Sequence, residues 1–305
     1  MSKKIIVSEE FSHFIPSSLG WVEGLEKLGH EVFILPQPTY TLSDIDEEAD
    51  LVIYFDVRDD EKSIDEFKRF KDRYPNCKIV GMGLLPKPNY YKYKGLIDFW
   101  VNMTIEHKES RRLFNEIGFE IYSIPLAGSD TLFYPLQPQK IYDVSFIGQF
   151  GSKGHGDRDE DKYLYPILDD KSITSFCAGF SYKDIGLQYV KHADLNTIYN
   201  QTKVNLNFHY KNQKGETSEG RMDYNGRVWE IALSGNFQLC DHPYIKTNCD
   251  NCILVGEKEN WKDLVNYYKN NATEREEWQR KSFDYAKKHH TWEKRMGEFM
   301  KLFDK

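Results

Sequence analysis

Hydrophobic positions in this chain fall in short runs separated by amphipathic or polar stretches. Residues 5–7, 31–35, 51–55, 77–80, 97–101 and 119–124 read as buried strands. Between them, apolar residues recur at helical spacing over 17–28, 61–73 and 105–117. Gly29 and Gly118 stand where helices commonly end, and Pro36 and Pro75 stop the segments before them. Strands joined through helices of this length predict crossover connections and a parallel sheet.

The pattern breaks over 125–139, where Pro125, Pro135 and Pro138 lie in a stretch with no period. This segment reads as a linker. A second alternation follows, with strands expected at 142–147, 173–177, 204–209, 237–240 and 252–255. Helices are expected at 163–168, 194–201, 226–233, 259–270 and from 273 to about 303. The expectation is an α/β protein with a first Rossmann-like domain at 1–138 and a second at 139–290. Open parallel sheets take ligands beyond the carboxyl ends of their strands, so two such domains would face each other across a binding cleft.

Composition narrows the function classes. The chain has 305 residues, and 15% aromatic content gives it cores to bury. A net charge of -7 argues against a protein that coats a polyanion. The apolar run at 5–7 is too short for a signal-peptide core, and no long apolar span occurs. A cytoplasmic location is expected, with peripheral contact to a membrane left open. Five cysteines form no paired framework, which suits reduced thiols. Cys249 and Cys252 have zinc-knuckle spacing, with Cys240 or His242 nearby. Cys240 ends an apolar run, however, and reads as a small hydrophobe, so no metal site is expected.

Candidate chemistry concentrates in the second half. A glycine-rich loop runs over 148–156 from Gly148, after a strand and before a helix, where it can cradle a phosphate. Its spacing matches neither a dinucleotide fingerprint nor a P-loop. Asp157-Arg158-Asp159 has the form of a metal-binding pair of acids, but acids before a helix also favour its N-terminus. On the strand at 204–209, Asn205, Asn207 and His209 share one face. Central parallel strands are usually apolar on both faces, so these residues mark either a polar site or an edge strand. A loop with Lys211, Lys214, Glu219 and Arg221 leads to the helix at 226–233. On that helix Arg227, Glu230 and Ser234 share a face, and Asn225 stands at the cap position. An arginine fork fits diphosphate oxygens, and a carboxylate one turn on can accept from both ribose hydroxyls. A surface ion pair has the same spacing.

These residues resemble a known family. Arg227-Val-Trp-Glu230-Ile-Ala-Leu-Ser-Gly235 is similar to the R-x-[FW]-E-x-x-x-x-G segment of GT-B glycosyltransferases, especially the group related to spore-maturation protein CgeB. Residues 142–148 resemble the opening strand of that family's C-terminal domain, and Asp130 to Pro135, one residue shorter, its D-x-x-x-[FY]-x-P linker. Residues 195–207 resemble its Y-x-x-[SA]-K-[IV]-x-L-N stretch, and His290-Thr-Trp-Glu-Lys-Arg295 its closing H-T-[YW]-x-x-R. Gly29-His-Glu-Val32 resembles the family's G-H-E-V.

The resemblance implies an acceptor-side first domain, a nucleotide-sugar-binding second domain, and a last helix at about 291–305 that crosses back to the first. It places Glu230 on the ribose and Arg227 or Lys203 on the diphosphate. Gly148, Asn207, His209, Arg221 and Asn225 complete the expected donor-binding set. The activity implied is metal-independent transfer of a sugar from a nucleotide-diphosphate sugar, with no further cofactor, to a glycan, lipid-linked sugar or protein. Alternatives are transfer to a DNA base and a non-catalytic nucleotide-sugar-binding module. Many relatives carry an acid eight residues before the ribose glutamate, where this chain has Met222. His13 or Asp56, each after a strand of the first domain, is the expected catalytic base.

Overall fold

The computed structural model describes residues 2–8, 17–35, 41–55, 57–148, 160–179, 190–209, 221–222 and 224–303. The chain forms two compact units. The first contains Met1–Ala127, Glu216–Asp223 and Trp292–Lys305; the second contains Gly128–Gly215 and Tyr224–Thr291.

The first unit runs β1 (Lys4–Ser8), α1 (Ser17–Lys27), β2 (Glu31–Leu35), β3 (Leu51–Tyr54), α2 (Glu61–Arg73), β4 (Lys78–Met82), β5 (Phe99–Asn102), β6 (Glu106–His107), α3 (Lys108–Glu116) and β7 (Ile121–Ser123). Six of these strands make one parallel sheet in the order β2-β1-β3-β4-β5-β7. The apolar runs seen in the sequence are its interior: Ile5, Val7, Leu51, Ile53 and Val80 pack on one face, and Val52, Ile79 and Trp100 on the other.

One expected helix starts later than its pattern suggested. Over 105–117 the first residues form β6, and α3 begins at Lys108 because the His107 side chain caps it, Nδ1 accepting from the Ser110 N–H at 3.1 Å.

The second unit runs β8 (Tyr142–Ile147), α4 (Glu160–Tyr163), α5 (Tyr165–Leu168), β9 (Ser175–Ala178), α6 (His192–Gln201) and β10 (Thr202–Asn207). The chain then contributes β11 (Arg221–Met222), which pairs antiparallel with β6 inside the first unit. The second unit resumes with α7 (Arg227–Leu233), β12 (Gln238–Cys240), α8 (Pro243–Asn248), β13 (Leu254–Val255), α9 (Trp261–Asn270) and α10 (Ala272–His289). Its parallel sheet has the order β13-β12-β10-β8-β9. The chain therefore winds outward from β8 to β9, then returns to β10 and winds the other way. The reversal falls between β8 and β10, the position where open α/β sheets leave a crevice at their carboxyl ends.

The pattern expected at 273–303 divides in two. α10 ends at His289, Thr291 bridges to Gly128, and α11 (Trp292–Phe303) follows as part of the first unit. There α11 lies against α1, and glycine permits the approach. A Cβ at Gly20 would strike the Trp292 indole, and one at Gly24 would lie 2.5 Å from the Trp292 carbonyl oxygen. Among the described residues no helix is long and apolar enough to cross a membrane.

Candidate functional site in the second unit

β10 is the middle strand of its sheet, paired with β12 on one side and β8 on the other. Asn205, Asn207 and His209 are nonetheless buried. A polar face in the centre of a sheet must find internal partners, because an unpaired buried amide is expensive. Asn205 does so completely: its Oδ1 accepts from the Ser145 hydroxyl at 2.7 Å and its Nδ2 donates to the Phe237 carbonyl at 3.0 Å. It is a cross-strand tie.

Asn207, nearer the carboxyl end, does something different. Its Nδ2 donates to Gln238 Oε1 at 3.1 Å, and its Oδ1 accepts from Asn225 Nδ2 at 2.9 Å. Gln238 in turn donates to the Val228 carbonyl of α7 at 2.8 Å. These amides fasten the start of α7 to the end of β10 and the start of β12. Asn225 does not cap α7: its Nδ2 donates to Asn207, and the cap position is Gly226, without a side-chain bond. Ser234 closes the other end of α7 and bonds the Ile231 carbonyl at 2.7 Å, fully buried.

With α7 fastened there, Arg227 projects over the end of β8. Its guanidinium lies over the Phe146 ring, 5.8 Å from the centroid. It also stands in the space a side chain at position 148 would take: a Cβ on Gly148 would collide with Arg227 Nη1. Gly148 follows β8 at the sheet's reversal point, so the structure brings together Gly148, Asn207, Asn225, Arg227 and, one turn along α7, Glu230.

Glu230 is partly buried. Its Oε2 accepts from the Tyr199 hydroxyl at 3.5 Å, a long bond from a fully buried ring. Burial pushes the Glu230 carboxyl up to about 7, against the opposing pull of Arg227 and Tyr199. The same burial, with Glu230 facing it, holds the Tyr199 phenol well above its usual range. Near neutral pH the carboxyl thus sits close to the balance between its two charge states. Hydroxyls that donate to it would favour the ionised form.

His209 lies just past β10, bonded to Asp241 just past β12. Sequence reading missed Asp241. Its one signal there is its place, directly after the apolar run that ends at Cys240. Among the described residues, His209, Cys240 and Asp241 form the group of donor atoms close enough to share a cation, all within 4.8 Å. The second oxygen of Asp241 already faces Lys258 Nζ at 3.3 Å, which supplies a positive charge from the chain itself. Cys249 and Cys252 lie outside this group, and burial pushes both thiols up to about 12.

Other expected positions stand elsewhere. Lys203 is near the amino end of β10 and pairs with Asp143 at 2.7 Å, so it does not join Arg227 and Glu230. Arg221 is in β11 of the first unit. His13, Asp56, residues 149–159 with Asp157 and Asp159, and Lys211, Lys214 and Glu219 lie outside the described residues.

Two motifs far apart in sequence meet behind the site. The Trp229 indole, fully buried, stacks on the His290 imidazole, and α10 packs against α7. Gly235, with φ +67°, ends the turn after α7 in the left-handed region that favours glycine.

A glycosyl transferase-like family model matches residues 163–301. No curated protein matches the chain in sequence. Its fold is similar to Anabaena HepE in complex with UDP and glucose, at 11% identity, covering 98% of this chain and 100% of that one, TM-score 0.57. It is also similar to sucrose-phosphate synthase from Thermosynechococcus elongatus, at 8% identity, covering 99% and 98%, TM-score 0.58. A third likeness is to α,α-trehalose 6-phosphate synthase from Burkholderia multivorans, at 8% identity, covering 100% and 99%, TM-score 0.55. Two parallel-sheet units, these likenesses and the family match together give the chain its place: it has the GT-B glycosyltransferase fold, with a glycosyl transferase-like stretch over residues 163–301.

Proposed function

We propose that this protein is a glycosyltransferase of the CgeB-like group that moves a sugar from a nucleotide-diphosphate sugar to a glycan, lipid-linked sugar or protein. One observation carries the reading: Arg227 and Glu230, a turn apart on α7, lie at the carboxyl end of a sheet beside its reversal point, next to a glycine whose missing side chain leaves room for the guanidinium. Glu230 accepts from the ribose hydroxyls. Arg227, its guanidinium above Gly148, meets the diphosphate and stabilises it as a leaving group when the anomeric carbon passes to the acceptor oxygen. That charge is supplied by the chain, without a divalent ion. His13 or Asp56 takes the acceptor proton. The fold likeness to HepE, whose structure holds UDP and glucose, favours a uridine nucleotide.

The test is to incubate the protein with UDP-, GDP- and TDP-sugars and measure free nucleoside diphosphate, with and without candidate acceptors. Release of one nucleotide, stimulated by an acceptor, is the expected result. Binding without release under any acceptor would mark a binding module instead. Failure to bind any donor would overturn the reading.

A further inference from the structure

A buried imidazole–carboxylate pair stands at the same end of the sheet as Arg227 and Glu230. His209 follows β10 and Asp241 follows β12, adjacent strands, and the two side chains are 2% and 4% exposed. Asp241 Oδ1 accepts from the His209 backbone N–H at 2.8 Å and lies 2.9 Å from its Nδ1. An ionised carboxylate only accepts, so Nδ1 carries a proton. The remaining Asp241 oxygen faces Lys258 at 3.3 Å, which fixes the carboxylate in place. Lys258 also lies over the Phe208 ring at 4.2 Å. Against the imidazole stand Cys240, whose sulfur is 3.9 Å from Nδ1, and the His242 ring, 4.9 Å away edge to face.

Within the imidazole–carboxylate pair itself, one atom is left over. His209 Nε2 is buried and has no hydrogen-bond partner among the described residues. A polar nitrogen buried in that state is destabilising unless something meets it. Asp241 spends its hydrogen bonds holding the ring, so Nε2 is the end of the imidazole available to a ligand. It belongs to the second residue after the central strand, one strand from Gly148 across the reversal point.

We propose that Asp241 is a positioning residue that orients His209 so that Nε2 meets the diphosphate of a bound nucleotide sugar. With the ring as imidazolium, Nε2–H donates to a phosphate oxygen, and no covalent bond is made or broken. Asp241 balances the imidazolium, and Lys258 balances Asp241. The proposal rests on the donor-site reading given above, with Glu230 serving the ribose and His209 the phosphates.

Uridine and UDP separate the two roles, because only UDP carries the phosphates. Calorimetric titration of both into the wild-type protein, His209→Ala, Asp241→Asn and Glu230→Ala gives the test. His209→Ala is expected to weaken UDP about tenfold or more while uridine is unchanged. Asp241→Asn is expected to weaken UDP in the same selective way, since its carboxamide can turn an N–H toward Nδ1. That change of tautomer is read independently from the imidazole ¹⁵N shifts of His209, with the circular dichroism spectrum retained. Glu230→Ala should weaken both ligands. If His209→Ala does not fold, Asp241→Asn and the ¹⁵N shifts carry the test. Unchanged UDP affinity in the His209 or Asp241 variant, with Glu230→Ala still weakening both ligands, overturns the proposal and leaves the donor site standing. Failure of UDP, GDP and TDP to bind the wild-type protein overturns both.

Discussion

The Trp229 indole lies flat on the His290 imidazole, with ring centroids 3.6 Å apart and planes 3° from parallel. Trp229 belongs to the helix that carries Arg227 and Glu230, and His290 follows the long helix α10. The stack therefore sets how α7 is rotated, and with it where the two charged side chains point.

Trp229→Ala should destabilise the protein by about 3–5 kcal/mol, the usual loss for a large aromatic removed from a core. His290→Ala should lose less, about 0.5–1.5 kcal/mol for the aromatic pair. Urea unfolding of both variants measures this. Equal and negligible losses would mean the stack does not hold α7.

Glu230 gives a pH signature. Its folded-state carboxyl is raised to about 7 from the ordinary 4.5. Between those values the folded protein keeps a proton that the unfolded chain has released. This contribution to stability is therefore full below pH 4.5 and is lost as pH rises through about 7. The loss is on the order of 3 kcal/mol. Glu230→Gln should remove it, so the variant gains on wild type at pH 8 relative to pH 4.5 in urea melts. A constant difference across pH would place the charge elsewhere.

Glu230→Ala should weaken nucleotide binding by about 1–3 kcal/mol, because a charge-assisted pair of hydrogen bonds is lost. Titration calorimetry with UDP checks it, and unchanged affinity would remove Glu230 from the site.

Gly148→Ala separates site from fold. The added carbon meets the far end of Arg227, which can swing away. Melting should shift little, while UDP affinity should fall by about 1 kcal/mol or more as the guanidinium leaves its place. A large loss of melting temperature would show that the backbone, not Arg227, had yielded.

Gly24→Ala should behave in the opposite way. Its carbon meets the backbone carbonyl of Trp292 at 2.5 Å and Met296 at 2.6 Å, and the carbonyl has little room to move. Overpacking of this kind destabilises by about 1–3 kcal/mol. Urea unfolding should show this, with UDP affinity unchanged, since the contact lies within the first unit.

The alternation of apolar runs and helical periods was enough to read two parallel sheets, because a strand buried on both faces leaves little ambiguity in its sequence. The polar face of β10 was legible too, but Asn205 shows the limit of that signal: its amide is spent inside the fold, on Ser145, Phe237 and Tyr199. Lys203 lay within a recognisable motif, yet it stands at the wrong end of its strand for a ligand and pairs with Asp143. Counting along the strand would have revealed that. Asp241 and the Trp229–His290 stack were invisible for another reason. Each joins positions more than 30 residues apart, and only the order of strands and the packing of α10 bring them together.

The register of β10 has a consequence for how this protein can vary. Asn205 lies opposite Gln238, and Asn207 opposite Cys240. A single residue inserted in β10 would turn Asn207 to the opposite face and cut its ties to Gln238 and Asn225 in one step. Loops beyond the strands tolerate changes in length far better. Diversification would therefore proceed by rewriting loops, with the strands acting as a fixed ruler between them.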